Sequence, residues 1–386
     1  MAINRRGVIA GGAAMTAFGL SGCDSRRVSA GWLTERITGI PDAHEIPGMT
    51  AGLVLRHGEV ISAATGLADL ETGESMRPDH VMPAGSTGKS FVAATAVDLV
   101  LQGELDLDAP IGTWLSDAPW FADLAYRDRI TPRLLLTHRS GLVEYLEQPD
   151  FAPLHAERVA TDPDRPIRTD ISLPIAVAAG PLFEPDVGFS YADTNYLLIG
   201  LIIEAITGRT YEAQVTERIL APNGLTGGVR PATQRAIPGL ASSYMAHPAF
   251  GLPEKCSEDG VLAMHPLTEW TGGGMATRAG DLARWGWLWF GGRALDGEYD
   301  MIAEAEQGSG VIEADGADWR YGMACEIRLS PGPRLIGHRG WFPAFQTVLA
   351  YKPALDMAIA LQFNRVPSVP DMYGLAEAIM DDAAAA

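Results

Sequence analysis

Apolar residues recur at two different spacings along this 386-residue chain, and each spacing is confined to its own part of the sequence. Between residues 49 and 68, two short apolar runs at 51–55 and 60–64 flank a polar Arg-His-Gly-Glu segment, which predicts a β-hairpin. Near the other end, four apolar runs are separated by Pro and Gly turns and precede a predicted helix at 371–381. These runs predict strands at 321–329, 334–337, 345–351 and 357–363.

The middle of the chain has helical spacing instead. The segment 90–101 contains one charged residue, Asp98, and predicts a buried helix. Helical patterns continue from residue 105 to about 275, including 196–207 and 210–220. We therefore predict an α+β fold, in which both chain ends form the antiparallel sheet of an α/β sandwich subdomain and a mostly helical subdomain is inserted at about 105–275. The cleft at their junction is the expected functional site.

The composition indicates a globular protein and limits the classes of partner that it could bind. Hydrophobic residues make up 47% of the chain, enough for a large core. The formal net charge of −19 would repel nucleic acids and anionic membrane surfaces. We expect a small-molecule or peptide substrate and no nucleic-acid partner.

The first 22 residues have the pattern of an export signal. Arg5 and Arg6 precede an apolar run at 8–20 that is too short to span a bilayer comfortably. The paired arginines resemble a twin-arginine signal, and the residues ending at Cys23 resemble a lipobox, in which the cysteine is acylated after cleavage. We predict a lipid-anchored tether at 23–34 and a location on the periplasmic side of a membrane. An uncut signal anchor is the alternative.

The rest of the chain is predicted to form one domain over 35–375, followed by a frayed alanine-rich tail at 376–386. Cys256 and Cys325 have no diagnostic spacing, so they could pair in an oxidising compartment or stay free and buried. No group of His, Cys and carboxylate residues has the spacing of a zinc site. Neither a metal nor an organic cofactor is predicted.

The strongest chemical signal is Ser86, placed three residues before Lys89. The chain has only three lysines among its 29 basic residues. Unlike arginine, a desolvated lysine can lose its proton near neutral pH. Because Lys89 begins the buried helix, we predict an uncharged amine that acts as a base beside a serine nucleophile. Free N–H groups at this helix start could also bind an oxyanion.

Three other interpretations of this segment are open. Ser86 could be a capping residue and Lys89 an exposed lysine of the first turn. Residues 83–90 approximate a P-loop, although proline stands where its first glycine is needed. Residues 84–88 also approximate a nucleophile elbow, which His338 could complete as part of a triad.

Three motifs in order give the chain a family resemblance. Residues 86–89 match SxxK, residues 191–193 fall on a YxN position, and residues 338–340 fall on a KTG position that is often HxG. With these motifs the chain resembles the serine β-lactamase and penicillin-binding protein superfamily, in the branch of class C β-lactamases, D-alanyl-D-alanine carboxypeptidases and related esterases. The segments 130–142 and 272–277 also look like connecting segments of that family. The likeness covers residues 35 to 375.

The resemblance implies an acyl-enzyme mechanism. Ser86 would attack a carbonyl carbon, with Lys89 and Tyr191 sharing the roles of base and acid. The backbone N–H groups of Ser86 and Trp341 would hold the oxyanion, and water would release the acyl group. His138, by contrast, is expected to be structural.

Two departures from the family motifs limit what can be said of the substrate. Asp193 stands where the family has asparagine and, as an acceptor only, would steady a charged Lys89. His338 replaces a permanently charged lysine. Recognition of a substrate carboxylate would then depend on Arg339, if it faces the cleft, beside Gly340 of the same motif.

Two functions from different classes follow from these residues. The first is an exported serine hydrolase that cleaves ester or amide bonds, as an esterase, a D-alanyl peptidase or a β-lactamase-like enzyme. The second is a non-catalytic penicillin-binding or sensor lipoprotein of the same fold, motivated by Asp193 and His338. The presence of Ser86, Lys89 and Tyr191 favours the enzyme.

Overall fold

The structure, a computed structural model, describes residues 28–245, 247–297, 299–300, 310–314, 317–366 and 369–386. The predicted signal peptide at 1–22, with Arg5 and Arg6, lies outside these ranges, and so does the predicted lipidation site Cys23.

The main sheet is antiparallel and has eight strands, which come from both ends of the chain as predicted. They are β1 (Gly48–Val54), β2 (Val60–Gly66), β9 (Gly310–Ala314), β10 (Ala317–Tyr321), β11 (Glu326–Ser330), β12 (Leu335–Phe342), β13 (Phe345–Lys352) and β14 (Met357–Phe363). Their spatial order is β2-β1-β14-β13-β12-β11-β10-β9. The first and last strands are neighbours, with Met49 opposite Phe363. The predicted hairpin at 49–68 is the β1–β2 pair.

Two small three-stranded sheets lie between these ends of the sequence. They are formed by β3 (Met82–Pro83), β4 (Val229–Pro231), β5 (Ser243–Tyr244), β6 (Lys255–Glu258), β7 (Val261–Leu262) and β8 (Met275–Thr277). The orders are β3-β8-β4 and β5-β6-β7. The inserted region is therefore mostly helical, as predicted, but it also contains short strands that are too brief to give a sequence pattern.

The described residues form helices in the segment between β2 and β9 and at both chain ends. They are α1 (Ala30–Ile37), α2 (Ile40–Ala43), α3 (Lys89–Leu101), α4 (Gly112–Leu115), α5 (Pro132–Leu136), α6 (Phe151–Thr161), α7 (Thr169–Ala179), α8 (Asp193–Thr207), α9 (Tyr211–Val215), α10 (Ala279–Trp289) and α11 (Met372–Ala385). In α3, the helix predicted to be buried, ten of the 13 residues are buried.

The main sheet is covered on both faces. Helix α10 packs on one face, and α1 and α11 pack on the other. Along β14, Ala358 and Ala360 join the core on the α10 side, whereas Ile359 and Leu361 join the core on the other side. A strand buried on both faces is apolar throughout, which explains the unbroken apolar run at 357–363.

One predicted strand was wrong in its extent. The run at 321–329 is the end of β10 and most of β11, joined by a tight turn in which Gly322 N–H donates to the carbonyl of Cys325. The turn residues Met323, Ala324 and Cys325 are fully buried. These turn residues are as apolar as the two strands, so the sequence pattern does not distinguish the turn from the strands.

The predictions for both chain ends also need correction. Instead of a frayed tail at 376–386, α11 continues to Ala385 and buries Ala376, Ile379, Met380 and Ala383. These positions have the i, i+3, i+4, i+7 spacing of an amphipathic helix. The tether predicted at 23–34 overlaps α1, which begins at residue 30.

Cys256 and Cys325 are free thiols, both buried, and belong to separate hydrophobic cores. Burial raises the pKa of each thiol to about 12, so both are protonated and unreactive at neutral pH. Within the described ranges, no helix has the length and apolarity needed to cross a bilayer.

Candidate active site

Ser86 lies in a 3₁₀ turn, Gly85–Gly88, immediately before α3. Strand β12 crosses this turn at very short range. A Cβ atom on Gly85, whose φ is +53°, would lie 2.6 Å from the backbone nitrogen of Trp341, and a Cβ on Gly340 would lie 2.1 Å from the carbonyl oxygen of Ala84. Only glycine permits this approach, because it has no side chain. The Trp341 backbone therefore lies beside the turn that holds Ser86, and the use of the two backbone N–H groups as oxyanion donors stays a prediction.

Lys89 is fully buried, and its amine has three partners. The Nζ atom donates to Ser86 Oγ at 3.0 Å and to the carbonyl oxygen of Gly272, and lies 2.5 Å from Asp193 Oδ1. Two of these contacts are hydrogen bonds and the third is an ion pair, and a carboxylate oxygen this close favours an ammonium over a neutral amine. The prediction of an uncharged Lys89 at rest therefore does not fit the geometry, while the predicted contact with Asp193 is present.

The capping serine with an exposed lysine and the P-loop are both wrong, since the turn is packed against backbone and the lysine is buried.

Tyr191 is held over the lysine by the loop that leads into α8. Ser190 N–H donates to the carbonyl of His138, and Ala192 N–H donates to His138 Nδ1 at 3.2 Å. The centre of the Tyr191 ring lies 5.0 Å from Lys89 Nζ. Burial, together with Asp193, raises the pKa of Tyr191 well above its ordinary value, against a smaller lowering by the nearby Ser86 hydroxyl. Tyr191 is therefore a neutral phenol at rest, suited to donate a proton.

Three carboxyl groups surround the lysine. Besides Asp193, they are Glu144, whose oxygens accept from the N–H groups of Asp193 and Leu146, and Glu269, which is 5% exposed. Burial and the neighbouring Asp193 raise the pKa of Glu144 from 4.5 to about 8. The same causes raise the pKa of Glu269 well above its ordinary value. One buried ammonium thus faces three carboxyl groups, and their mutual repulsion and burial keep Glu144 and Glu269 protonated at neutral pH.

His338 does not present a donor to the cleft. Its Nε2 lies 2.9 Å from Tyr321 Oη, and its Nδ1 lies 2.5 Å from the carbonyl oxygen of Arg339. Burial lowers the pKa of His338 to about 3, so the ring is neutral. The nucleophile-elbow triad is therefore wrong: Ser86 is bonded to Lys89, and both ring nitrogens of His338 have other partners.

Arg339 is also less available than predicted. Its guanidinium makes a two-pronged pair with Glu326, with Nε 2.9 Å from Oε2 and an NH2 group 3.3 Å from Oε1, and it lies over the ring of Tyr373. The positive charge that was expected to hold a substrate carboxylate is neutralised by a carboxylate of the protein.

Two cavities meet at the serine, and Ser86, Tyr191 and Trp341 line both of them. The larger one, of about 820 Å³, we call the acidic cavity, because it is lined by Glu144, Glu147, Asp193 and Glu269. The smaller one, of about 610 Å³, lies along β12 and is lined by Phe189, Tyr321, Glu326, His338, Arg339, Gly340, Val369 and Met372. A scissile bond at Ser86 would place one half of the substrate in each.

Sequence reasoning missed Glu144, Glu269 and Tyr321. Glu144 lies two residues after the family-like segment 130–142, and Glu269 lies three residues before the glycines at 272–274, so both were close to regions that the motifs had already marked. Only the fold shows that they face Lys89. His138 has the structural role expected of it, being fully buried with both ring nitrogens hydrogen-bonded. The described residues contain no group of three or more side chains placed to hold a metal ion.

Known proteins resemble this chain in sequence and in fold. A family model described as Beta-lactamase matches residues 33–384. Esterase EstB of Burkholderia gladioli is 34% identical over 176 residues, covering 45% of this chain and 44% of the relative. A D-aminopeptidase of Brucella ovis is 28% identical over 317 residues, covering 78% of this chain and 54% of the relative. The chain spans about half the length of the curated relatives it matches.

Among solved structures, a D-amino acid amidase from Ochrobactrum anthropi SV3, complexed with L-phenylalanine amide, superposes with a TM-score of 0.71. It is 25% identical, and the match covers 91% of this chain and 98% of the other. A D-stereospecific amidohydrolase from Streptomyces, 24% identical, shares the fold with a TM-score of 0.72 over 87% of this chain and 94% of the other.

Proposed function

The chain belongs to the beta-lactamase family, and from that premise we propose that it is a serine hydrolase that forms an acyl-enzyme on Ser86. The single observation that supports this most is the contact of Lys89 Nζ with Ser86 Oγ at 3.0 Å inside a cleft where Tyr191 and Trp341 meet the same serine. A nucleophile, a base and an acid are then within reach of one bound carbonyl.

The contacts around Lys89 suggest the order of proton movements. Lys89 first passes a proton to Asp193, 2.5 Å away, which leaves the net charge of the pair unchanged and frees the amine lone pair. The amine then takes the Ser86 proton as Oγ bonds to the substrate carbonyl carbon, and the carbonyl electron pair moves to oxygen as an oxyanion. Collapse of this intermediate expels the leaving group, which is protonated by Tyr191. Tyr191 regains its proton from Lys89, and water then hydrolyses the acyl-enzyme.

The charges in the cleft favour a substrate that carries an amine near the scissile bond. The acidic cavity has an excess of buried carboxyl groups, while His338 is neutral and Arg339 is paired with Glu326. A substrate ammonium would offset the repulsion that raises the pKa of Glu144 and Glu269, whereas a substrate carboxylate would add to it. The D-aminopeptidase and D-amino acid amidase matches are consistent with an amine-bearing substrate of an amidase or peptidase.

Export and lipid anchoring complete the proposal. The twin-arginine-like residues Arg5 and Arg6, and the lipobox-like position of Cys23, support a periplasmic, membrane-anchored enzyme. Growth with a radiolabelled fatty acid would show whether Cys23 is acylated, and Cys23→Ala should abolish the label and release the protein from the membrane fraction.

Active-site labelling tests the catalytic proposal. We expect a fluorophosphonate to modify the wild-type protein on Ser86, located by peptide mass spectrometry, and Ser86→Ala to lose both the label and turnover of p-nitrophenyl esters. Labelling at another residue, or full turnover in Ser86→Ala, would refute it. Stoichiometric labelling without turnover of any ester, amide, D-Ala-D-Ala peptide or nitrocefin would instead support the non-catalytic binding lipoprotein.

A matched pair of substrates tests the charge preference. D-Phenylalanine p-nitroanilide carries a free amine, and its N-succinyl derivative carries a carboxylate in its place. We expect the amine to be preferred by at least about tenfold in kcat/KM, which is about 1.4 kcal/mol. Glu269→Gln should reduce this preference, while Glu258→Gln, at an exposed position, should not. Preference for the succinyl derivative would contradict the assignment.

A further inference from the structure

Tyr321 is a buried tyrosine whose hydroxyl lies between two buried histidines. Its Oη is 3.3 Å from His138 Nε2 and 2.9 Å from His338 Nε2, and its side chain is 1% exposed. His138 comes from the loop after α5, whereas His338 lies on β12, so the hydroxyl joins the helical region to the main sheet. We call these three residues the His138–Tyr321–His338 chain.

The direction of every hydrogen bond in this chain is fixed by its two ends. At one end, the Ala192 N–H and the Asn195 side-chain amide both donate to His138 Nδ1, so this nitrogen is an acceptor. The proton of the ring is therefore on Nε2, which donates to Tyr321 Oη. At the other end, His338 Nδ1 contacts the carbonyl of Arg339, which can only accept, so the proton of this ring is on Nδ1. His338 Nε2 then accepts from the Tyr321 hydroxyl.

The two histidines are therefore opposite tautomers. Burial lowers the pKa of both, so neither ring carries a second proton. A hydroxyl can accept from the first ring and donate to the second through one oxygen atom, since it has both a proton and lone pairs. A phenylalanine at position 321 would leave one buried N–H and one buried lone pair without partners.

The same three rings enclose Tyr191. Its ring centre lies 4.2 Å from that of His138, 5.8 Å from that of Tyr321 and 6.1 Å from that of His338. The orientation of the Tyr191 phenol over Lys89 thus depends on rings that the chain locks in place. The chain also turns His338 Nε2 away from any substrate.

We propose that Tyr321 is a positioning residue: its hydroxyl orders the His138–Tyr321–His338 chain, which aims the Tyr191 phenol at the leaving group and keeps His338 from offering a donor to the cleft. The kinetic consequence rests on the proposed function, but the tautomer arrangement does not.

The tautomers can be measured on the wild-type protein without any substrate. In a long-range ¹H–¹⁵N correlation spectrum at neutral pH, we expect one buried histidine protonated on Nε2 and one on Nδ1, assigned with His138→Gln and His338→Gln. Two histidines of the same tautomer, or either one doubly protonated, would overturn the proposal. This result is independent of whether the protein hydrolyses anything.

The kinetic test separates positioning from general damage. A p-nitrophenolate can leave without being protonated, whereas an alkylamine must take up a proton as it leaves. Tyr321→Phe should therefore lower kcat for an alkylamide about 10- to 100-fold more than for the p-nitrophenyl ester of the same acyl group. KM for both substrates should change little. Equal loss on the two substrates would indicate only a structural role and would refute the proposal.

Tyr244→Phe is the matched control. Tyr244 is 3% exposed, and its hydroxyl likewise accepts one bond, from Leu70 N–H at 2.8 Å, and donates one, to Glu71 at 2.8 Å, but it lines neither cavity. Loss of this hydroxyl should leave the amide-to-ester rate ratio unchanged. A ratio that fell as far in Tyr244→Phe as in Tyr321→Phe would count against a special role for Tyr321.

Discussion

Glu144 should make this protein less stable as the pH rises from about 5 to 8, which is opposite to the behaviour of an ordinary salt-bridged carboxylate. Its pKa is raised from 4.5 to about 8 by burial and by Asp193. Over this interval the folded protein keeps the Glu144 proton and the unfolded chain has released it. The stabilisation is therefore complete below pH 4.5 and is lost as the pH rises through 8.

The size of this effect follows from the shift. Each proton held only by the folded state changes the free energy of unfolding by about 1.4 kcal/mol per pH unit. Over the interval from 4.5 to about 8 this amounts to a contribution on the order of 5 kcal/mol for Glu144. Glu269 acts in the same direction, because its pKa is raised too. The lowered pKa values of His138 and His338 act in the opposite direction below about pH 6.5.

Comparing the wild type with Glu144→Gln removes the titration of Glu144, together with the part of the raised Glu269 pKa that Glu144 causes. Urea unfolding should be followed at intervals of half a pH unit from 5.5 to 7.5. We expect the difference in unfolding free energy to change by about 1.4 kcal/mol per pH unit, with the wild type losing its relative advantage as the pH rises. Two parallel stability curves would refute the buried, protonated state of Glu144 and with it the charge argument for the acidic cavity.

Two further predictions concern the catalytic residues. Lys89→Arg keeps a positive charge but cannot release a proton, so kcat/KM should fall by roughly 10²–10⁴-fold; near-normal ester hydrolysis would show that Lys89 is only structural. Gly340→Ala places a Cβ 2.1 Å from a backbone carbonyl oxygen beside Ser86, so it should cost about 1–3 kcal/mol of stability and displace the Trp341 N–H. Gly227→Ala, where a Cβ meets nothing within 4 Å, is the control and should leave the melting temperature and turnover nearly unchanged.

Much of the fold could be predicted because its elements carry local patterns. The β1–β2 hairpin, the apolar strand at 357–363 and the buried helix after Ser86 each have a periodicity or a turn signal within a few residues. The turn at 322–325 was missed, because its residues are as apolar as the strands they join. The last turns of α11 were missed for a related reason: alanine is common both in helices and in frayed ends, and only packing against the sheet distinguishes them.

By itself the sequence determined the order of elements and the contact between Ser86 and Lys89, the proposed nucleophile and base, since these residues are one helical turn apart and a helix there brings them together. Only the tertiary structure determined the protonation states of the groups around Lys89. Asp193, Glu144, Glu269 and the carbonyl of Gly272 reach Lys89 from distant parts of the chain, the last across 183 residues. A protonation state depends on which groups share one desolvated volume, and that volume exists only after distant segments have packed together.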